Sequence, residues 1–167
     1  MGMRTMFRRL SDADLARLRA EPELVADYLE RDQPAGFGPV ADLDIDKAWH
    51  AIHFLLTGTA WQGDPPLNFI VTGGVELGDD LGYGPARALT SGEVRSLAAA
   101  LETIPPARLL QRFDPAALTA AEIYPQIWDR SPEEDDTRGY VAEAYDQLWS
   151  FVLAAAVESE AMLVATT

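Results

Sequence analysis

The chain has 167 residues, with 13 Lys plus Arg against 27 Asp plus Glu, a formal net charge of -14 and no cysteine. That charge argues against nucleic acid, which asks for a clustered basic face, and against docking on an anionic membrane. The missing cysteines exclude disulfides, thiolate nucleophiles and cysteine zinc sites together.

Residues 1–10 alternate weakly and read as a first strand. Ser11 is an N-cap, with Asp14 three residues on, for a helix carrying Leu15 and Leu18. Pro22 suits a second helical start, followed by Leu24, Val25, Tyr28 and Leu29 at helical spacing. Gln33 to Pro39 is a loop by its prolines and glycines. Asp44 or Asp46 opens the next helix. Its stripe is Ile45, Trp49, Ile52 and Leu56, and Gly58 is a left-handed C-cap. Leu67 to Thr72 fits helix or strand. Gly73 to Gly84 reads as loop and Ala86 to Leu89 as a short strand.

Thr90-Ser91-Gly92-Glu93 is a capping box for a helix with Val94, Leu97, Ala98 and Leu101, broken at Pro105-Pro106. A short helix spans Leu109 to Phe113. Asp114-Pro115 restarts another as cap and first position, ending at Ile123-Tyr124-Pro125. Tyr140 to Ala155 forms the longest apolar stripe, and Ala161 to Thr166 is a last strand. The expected fold class is α+β: a single compact domain over residues 1–167, with several helices packed on a small sheet whose strands lie near both termini. The first ten residues have no apolar signal region, and no stretch approaches the ~20 apolar residues of a membrane span. The expected setting is cytoplasmic, with no membrane partner.

Chemistry concentrates at Asp46 to Gly58. Asp46, His50, His53 and Thr57 share one helical face, and these are the only two histidines. A carboxylate beside an imidazole is the minimum for general acid–base work, so Asp46 and His53 are the candidate catalytic pair. The plainer reading is a half-buried His53 with one hydrogen bond and Asp46 serving only the helix start. No metal site is assigned, since zinc wants three protein ligands at suitable spacing. No cofactor is expected either.

Gly82-Tyr83-Gly84-Pro85-Ala86-Arg87 resembles the start of a phosphate loop, but Arg87 replaces the third glycine and Pro85 removes an amide donor. Arg87 can still grip a carboxylate or phosphate; the plainer reading is an ion pair with one of the many acids. Trp49 and Trp149 sit on helical stripes and belong to the core. Trp61 and Trp128 fall in or beside loops, where they can line a cleft or an interface. Asp79-Asp80 and Glu133 to Asp136 are solvated charge runs without EF-hand spacing.

Taken together, Asp46-Lys47, Trp49, His53 and Leu56-Thr57-Gly58-Thr59 resemble the YfbM-like family, a family of small bacterial proteins classed as a domain of unknown function. The likeness continues through Gly82 to Arg87 and Leu89-Thr90. It returns at Phe113-Asp114, Ile123-Tyr124-Pro125 and Trp128-Asp129, covering roughly residues 1–164. It implies an α+β fold and a cytoplasmic bacterial setting, and no activity. His53 matches the family string; His50 does not. Lys47, Trp49, Tyr83, Arg87 and Trp128 are the candidate ligand-binding residues. Three functional expectations follow. The first is a non-catalytic binding or interaction module, regulatory or immunity-like, for which the acidity suits a basic protein partner. The second is a small enzyme with His53 as acid or base and Arg87 as anion anchor. The third is a subunit of a homo-oligomer joined through a surplus of the Tyr140–Ala155 stripe.

Overall fold

The computed structural model describes residues 2–167. Five strands form one antiparallel sheet: β1 (Thr5–Leu10), β2 (Ala41–Asp44), β3 (Val75–Asp80), β4 (Pro85–Leu89) and β5 (Ala161–Thr166). Their spatial order is β2-β1-β5-β4-β3. The helices are α1 (Asp12–Ala20), α2 (Val25–Glu30), α3 (Trp49–Thr57), α4 (Ser91–Glu102), α5 (Pro106–Leu110), α6 (Pro115–Ala120) and α7 (Thr137–Val157). This is a single α+β domain.

Helices cover both faces of the sheet. Leu10, Ala86, Ala88, Ala161, Leu163 and Ala165 pack with Leu15, Leu18, Val25 and Tyr28 of α1 and α2. Phe7, Leu89, Met162 and Val164 face the larger core built by α3 to α7. The central strand β5 is therefore buried on both sides, and its run Ala-Met-Leu-Val-Ala is continuously apolar for that reason. Register puts Phe7 opposite Val164, Val164 opposite Arg87, and Arg87 opposite Glu76. One row of side chains thus crosses four strands on the α3 side.

α3 is short yet almost enclosed: seven of its nine residues are buried, both histidines among them. A helix apolar nearly all round belongs inside a core. Gly58 closes it at φ 76°, donating its N–H to the Phe54 carbonyl. The cap and first-position signals also hold elsewhere. Ser11 Oγ accepts from the Asp14 N–H, and Asp114 accepts from the Ala116 and Ala117 N–H groups ahead of Pro115. Thr90 and Glu93 complete a reciprocal capping box. Replacing Thr90 with alanine is expected to lower stability by about 1 kcal/mol, read as a shifted denaturant midpoint with an unchanged slope.

Several sequence expectations need correction: among them, the short helix expected at Leu109–Phe113 lies at Pro106–Leu110, and Leu67–Thr72 is a run of turns, neither helix nor strand. The Gly73–Gly84 loop contains β3, whose alternation is broken by an irregularity between Leu77 and Asp80. Gly78 sits there at φ 82°, and an added Cβ would lie 2.8 Å from the Val25 Cβ, so glycine serves both the backbone bend and the close approach of α2. β2 was not expected at all: it has four residues, three of them exposed, and of its side chains only Leu43 packs against the core. The helix expected from Asp44 or Asp46 begins as a single tight turn at Asp46–Ala48, with α-helix only from Trp49. α6 stops at Ala120, three residues before Ile123.

Candidate functional site

A cavity of about 290 Å³ opens at one corner of the sheet. Its floor is the α3-side face of β4 and β5, through Pro85, Arg87, Val164 and Thr166. Trp49 of α3, Trp61 and Ile70 of the following connection, and Tyr83 of the β3–β4 turn form its walls. Trp61 is 55% exposed and Tyr83 57%, unusual for side chains of this size. No acidic residue lines the cavity.

Trp61 is held in place from behind. His50 donates its Nε2–H to the Ala60 carbonyl at 2.8 Å and accepts the Tyr124 N–H at Nδ1, 3.0 Å away. These two bonds fix the neutral Nε2–H tautomer. The imidazole stacks on Trp49 at 4.7 Å and contacts the Trp61 ring at 4.3 Å. Trp49 donates its indole N–H to the Met3 carbonyl, 3.2 Å away. The aromatic wall is therefore pinned to the chain ahead of β1, to the loop after α3 and to Tyr124 at once. Sequence reasoning set His50 aside because it is no part of the family string. Its only signal was i,i+3 spacing with His53, which says nothing about the loop bond it makes.

Among the described residues, Arg87 is the only charged side chain in the cavity lining. Its guanidinium donates to three backbone carbonyls: Phe69 at 2.9 Å, Ile70, and Gly73. It thereby ties the 69–73 segment, one side of the cavity, to the sheet. The plainer sequence expectation of an ion pair is not what is found: Arg87 takes part in no ion pair among the described residues. Burial lowers its pKa to about 10, opposed in part by the field of Glu76 across the ladder.

His53 lies sealed inside the core, fully buried and outside the cavity lining. Neither ring nitrogen has a hydrogen-bond partner. The half-buried, singly bonded histidine of the sequence reading is replaced by one with no bond at all. Burial is the main reason its pKa falls to about 4, with His50 and Arg87 pushing the same way. The Gln62 backbone lies near enough to oppose this without reaching hydrogen-bond geometry.

The other candidates sit elsewhere. Asp46 accepts the Tyr140 O–H at 3.0 Å and pairs with Arg4 at 3.0 Å. The Lys47 N–H donates to the same Tyr140 hydroxyl, 3.0 Å away. Asp46 has φ 49° and makes no side-chain cap bond, so the expected helix-start role gives way to a link between α7 and the chain before α3. Trp128 is 1% exposed and donates to the Ile123 carbonyl. Asp46 and His53 do not touch. Of the singled-out residues, Trp49, Tyr83 and Arg87 meet at one cavity, and Trp61 joins them. Among the described residues no cluster of three or more His, Asp or Glu side chains is arranged to hold a metal ion. No helix among them is long and apolar enough to cross a membrane.

A compact α+β domain with one aromatic-walled cavity around a single arginine has relatives. The chain belongs to the family described as Domain of unknown function (DUF1877), whose model matches residues 1–165. It is also similar to a protein of unknown function, YfbM, from Escherichia coli, known from its crystal structure. The two are 24% identical, superpose with a TM-score of 0.71, and match over 98% of this chain and 99% of that one. At that identity the likeness speaks for the fold. No curated protein matches the chain.

Proposed function

We propose that this protein is a non-catalytic binding module whose site is the cavity between Trp49, Trp61, Tyr83 and Arg87. The observation that carries this reading is the pair of large exposed aromatics, Trp61 and Tyr83, standing at a cavity whose lining, among the described residues, includes no His, Asp, Glu or Lys side chain. Concave, mostly apolar sites with a few convergent polar groups are where small ligands bind, and at about 290 Å³ this one suits a small molecule or a single side chain. The enzyme reading draws less support, because His53 is walled off from the cavity and from Asp46. The oligomer reading draws less as well: Val141, Ala144, Tyr145, Leu148, Val152 and Ala155 of the α7 stripe are already buried within the chain. Where the ligand is part of a protein or peptide, the net charge of -14 favours a basic one.

The test is a fragment titration followed by two-dimensional NMR on the wild-type chain. Bound fragments are expected to move the indole N–H signals of Trp49 and Trp61 together with the Thr166 amide. Trp61→Ala is expected to weaken that binding about tenfold while changing stability by less than about 0.5 kcal/mol, as for an exposed side chain. Shifts gathered on another surface, with these signals silent, would remove the cavity from consideration.

A further inference from the structure

We infer that the ligand of this cavity is a carboxylate carried on a planar apolar body, either a free aromatic acid or the aromatic C-terminal residue of a peptide. The inference rests on the proposed binding role and adds the chemistry of the occupant. Three features converge on it. First, the chain has about twice as many acids as bases, yet among the described residues no Asp or Glu lines the cavity and the one charged side chain there is an arginine. Second, a guanidinium has five N–H donors, and the protein uses it for three bonds, to the Phe69, Ile70 and Gly73 carbonyls. Among the described residues, the remaining donors have no partner and no carboxylate pairs with this cation. A carboxylate entering the cavity supplies both the missing acceptors and the missing charge. Third, the body of the ligand meets Trp49, Trp61, Tyr83 and the aliphatic side chains of Ile70 and Val164. Exposed ring faces gain most from another flat ring.

The net charge of -14 does not oppose this at contact range. Repulsion from distant surface acids is screened over roughly 8 Å at physiological ionic strength, whereas the arginine acts directly on the bound oxygens. Glu76 faces Arg87 across the β3–β4 ladder. It tempers the cation without filling its donors.

The test compares matched probes on the unmodified protein by calorimetry and NMR: indole-3-acetate, indole-3-acetamide, tryptamine and hexanoate. Two peptides ending in tryptophan, one with a free carboxylate and one amidated, distinguish a peptide terminus from a small acid. The acid is expected to bind at least tenfold more tightly than the amide, with tryptamine weakest and hexanoate weaker than the indole acid. A free-acid peptide as tight as or tighter than indole-3-acetate assigns the site to peptide termini; a weaker one assigns it to small acids. If amide and acid bind alike in the cavity, the carboxylate inference fails while the binding role stands. Equal binding by hexanoate overturns the planar body. If none of the probes binds but other fragments move the Trp49 and Trp61 signals, the ligand class is wrong and the site is right. Silence from every compound overturns both. Because these comparisons use wild-type protein, they do not depend on whether an Arg87 variant folds.

Discussion

Arg87→Met is expected to destabilise the protein by roughly 3–5 kcal/mol, since hydrogen bonds to a charged donor contribute about 1.5–3 kcal/mol each and three lost together fall short of additive. The methionine keeps most of the apolar stem, so the loss isolates the guanidinium. The carbonyls of Phe69, Ile70 and Gly73 are left facing a side chain that donates nothing. Phe69 and Ile70 are both core residues, at 0% and 1% exposure, so loosening their backbone disturbs the packing behind the cavity wall as well. Arg87→Lys should recover only part of the loss, because an ammonium on a flexible stem cannot reproduce the planar fork. Urea denaturation checks both variants. A loss below about 1 kcal/mol for Arg87→Met would mean that the three bonds are replaced by water at little cost.

The second large effect is a pH dependence carried by His53. The imidazole titrates at its ordinary 6.5 in the unfolded chain and at about 4 in the fold, because burial disfavours the charged ring. Between those values the unfolded state binds a proton that the native state refuses. Stability is therefore fully present above pH 6.5 and is lost as pH falls toward 4, by on the order of 3 kcal/mol. His50 is lowered by burial too and adds in the same direction. His53→Leu should remove most of this loss. At pH 7 it should leave stability unchanged or raise it by up to about 2 kcal/mol, since two unpaired buried nitrogens are exchanged for apolar atoms. Urea midpoints of wild type and variant at pH 7 and pH 4.5 decide it. The difference between the two proteins cancels the carboxylates that titrate in both. Parallel pH profiles would show that the ring finds a partner in solution.

Much of the fold was legible because its signals are local. Thr90 and Glu93 cap α4 through atoms three residues apart, Asp114-Pro115 does the same for α6, and Gly58 needs only its own φ. The apolar run Ala161–Ala165 announces a strand buried on both faces. β2 and β3 were not legible, because each offers only two apolar residues in alternation, Ala41 and Leu43 in β2 and Val75 and Leu77 in β3, too short a pattern to stand out on an edge strand. The cavity was half legible. Trp49, Tyr83 and Arg87 stood out by motif and Trp61 by its place in a loop. Their meeting depends on β4 lying beside β5 and on the His50 bond to Ala60, contacts separated widely in sequence or invisible in it. His53 drew attention for its chemistry, yet helical spacing cannot tell a solvent-facing ring from one enclosed by packing, and the fold encloses it.

The strand order β2-β1-β5-β4-β3 has a kinetic consequence. β1 and β2 are synthesised first and β3 and β4 later, but the two halves of the sheet meet only through β5, the last of the five to be made. Until Ala161 to Thr166 are available, the strand of Phe7 and the strand of Ala88 each present an unpaired edge, and the row linking Phe7 to Arg87 through Val164 lacks its middle member. Native pairing must then span over 150 residues of chain between β1 and β5. Closure over such separations is slow, and open edges invite pairing with other chains. The nascent protein is therefore most exposed to aggregation in the interval before β5 arrives, and that interval ends in a single joining event.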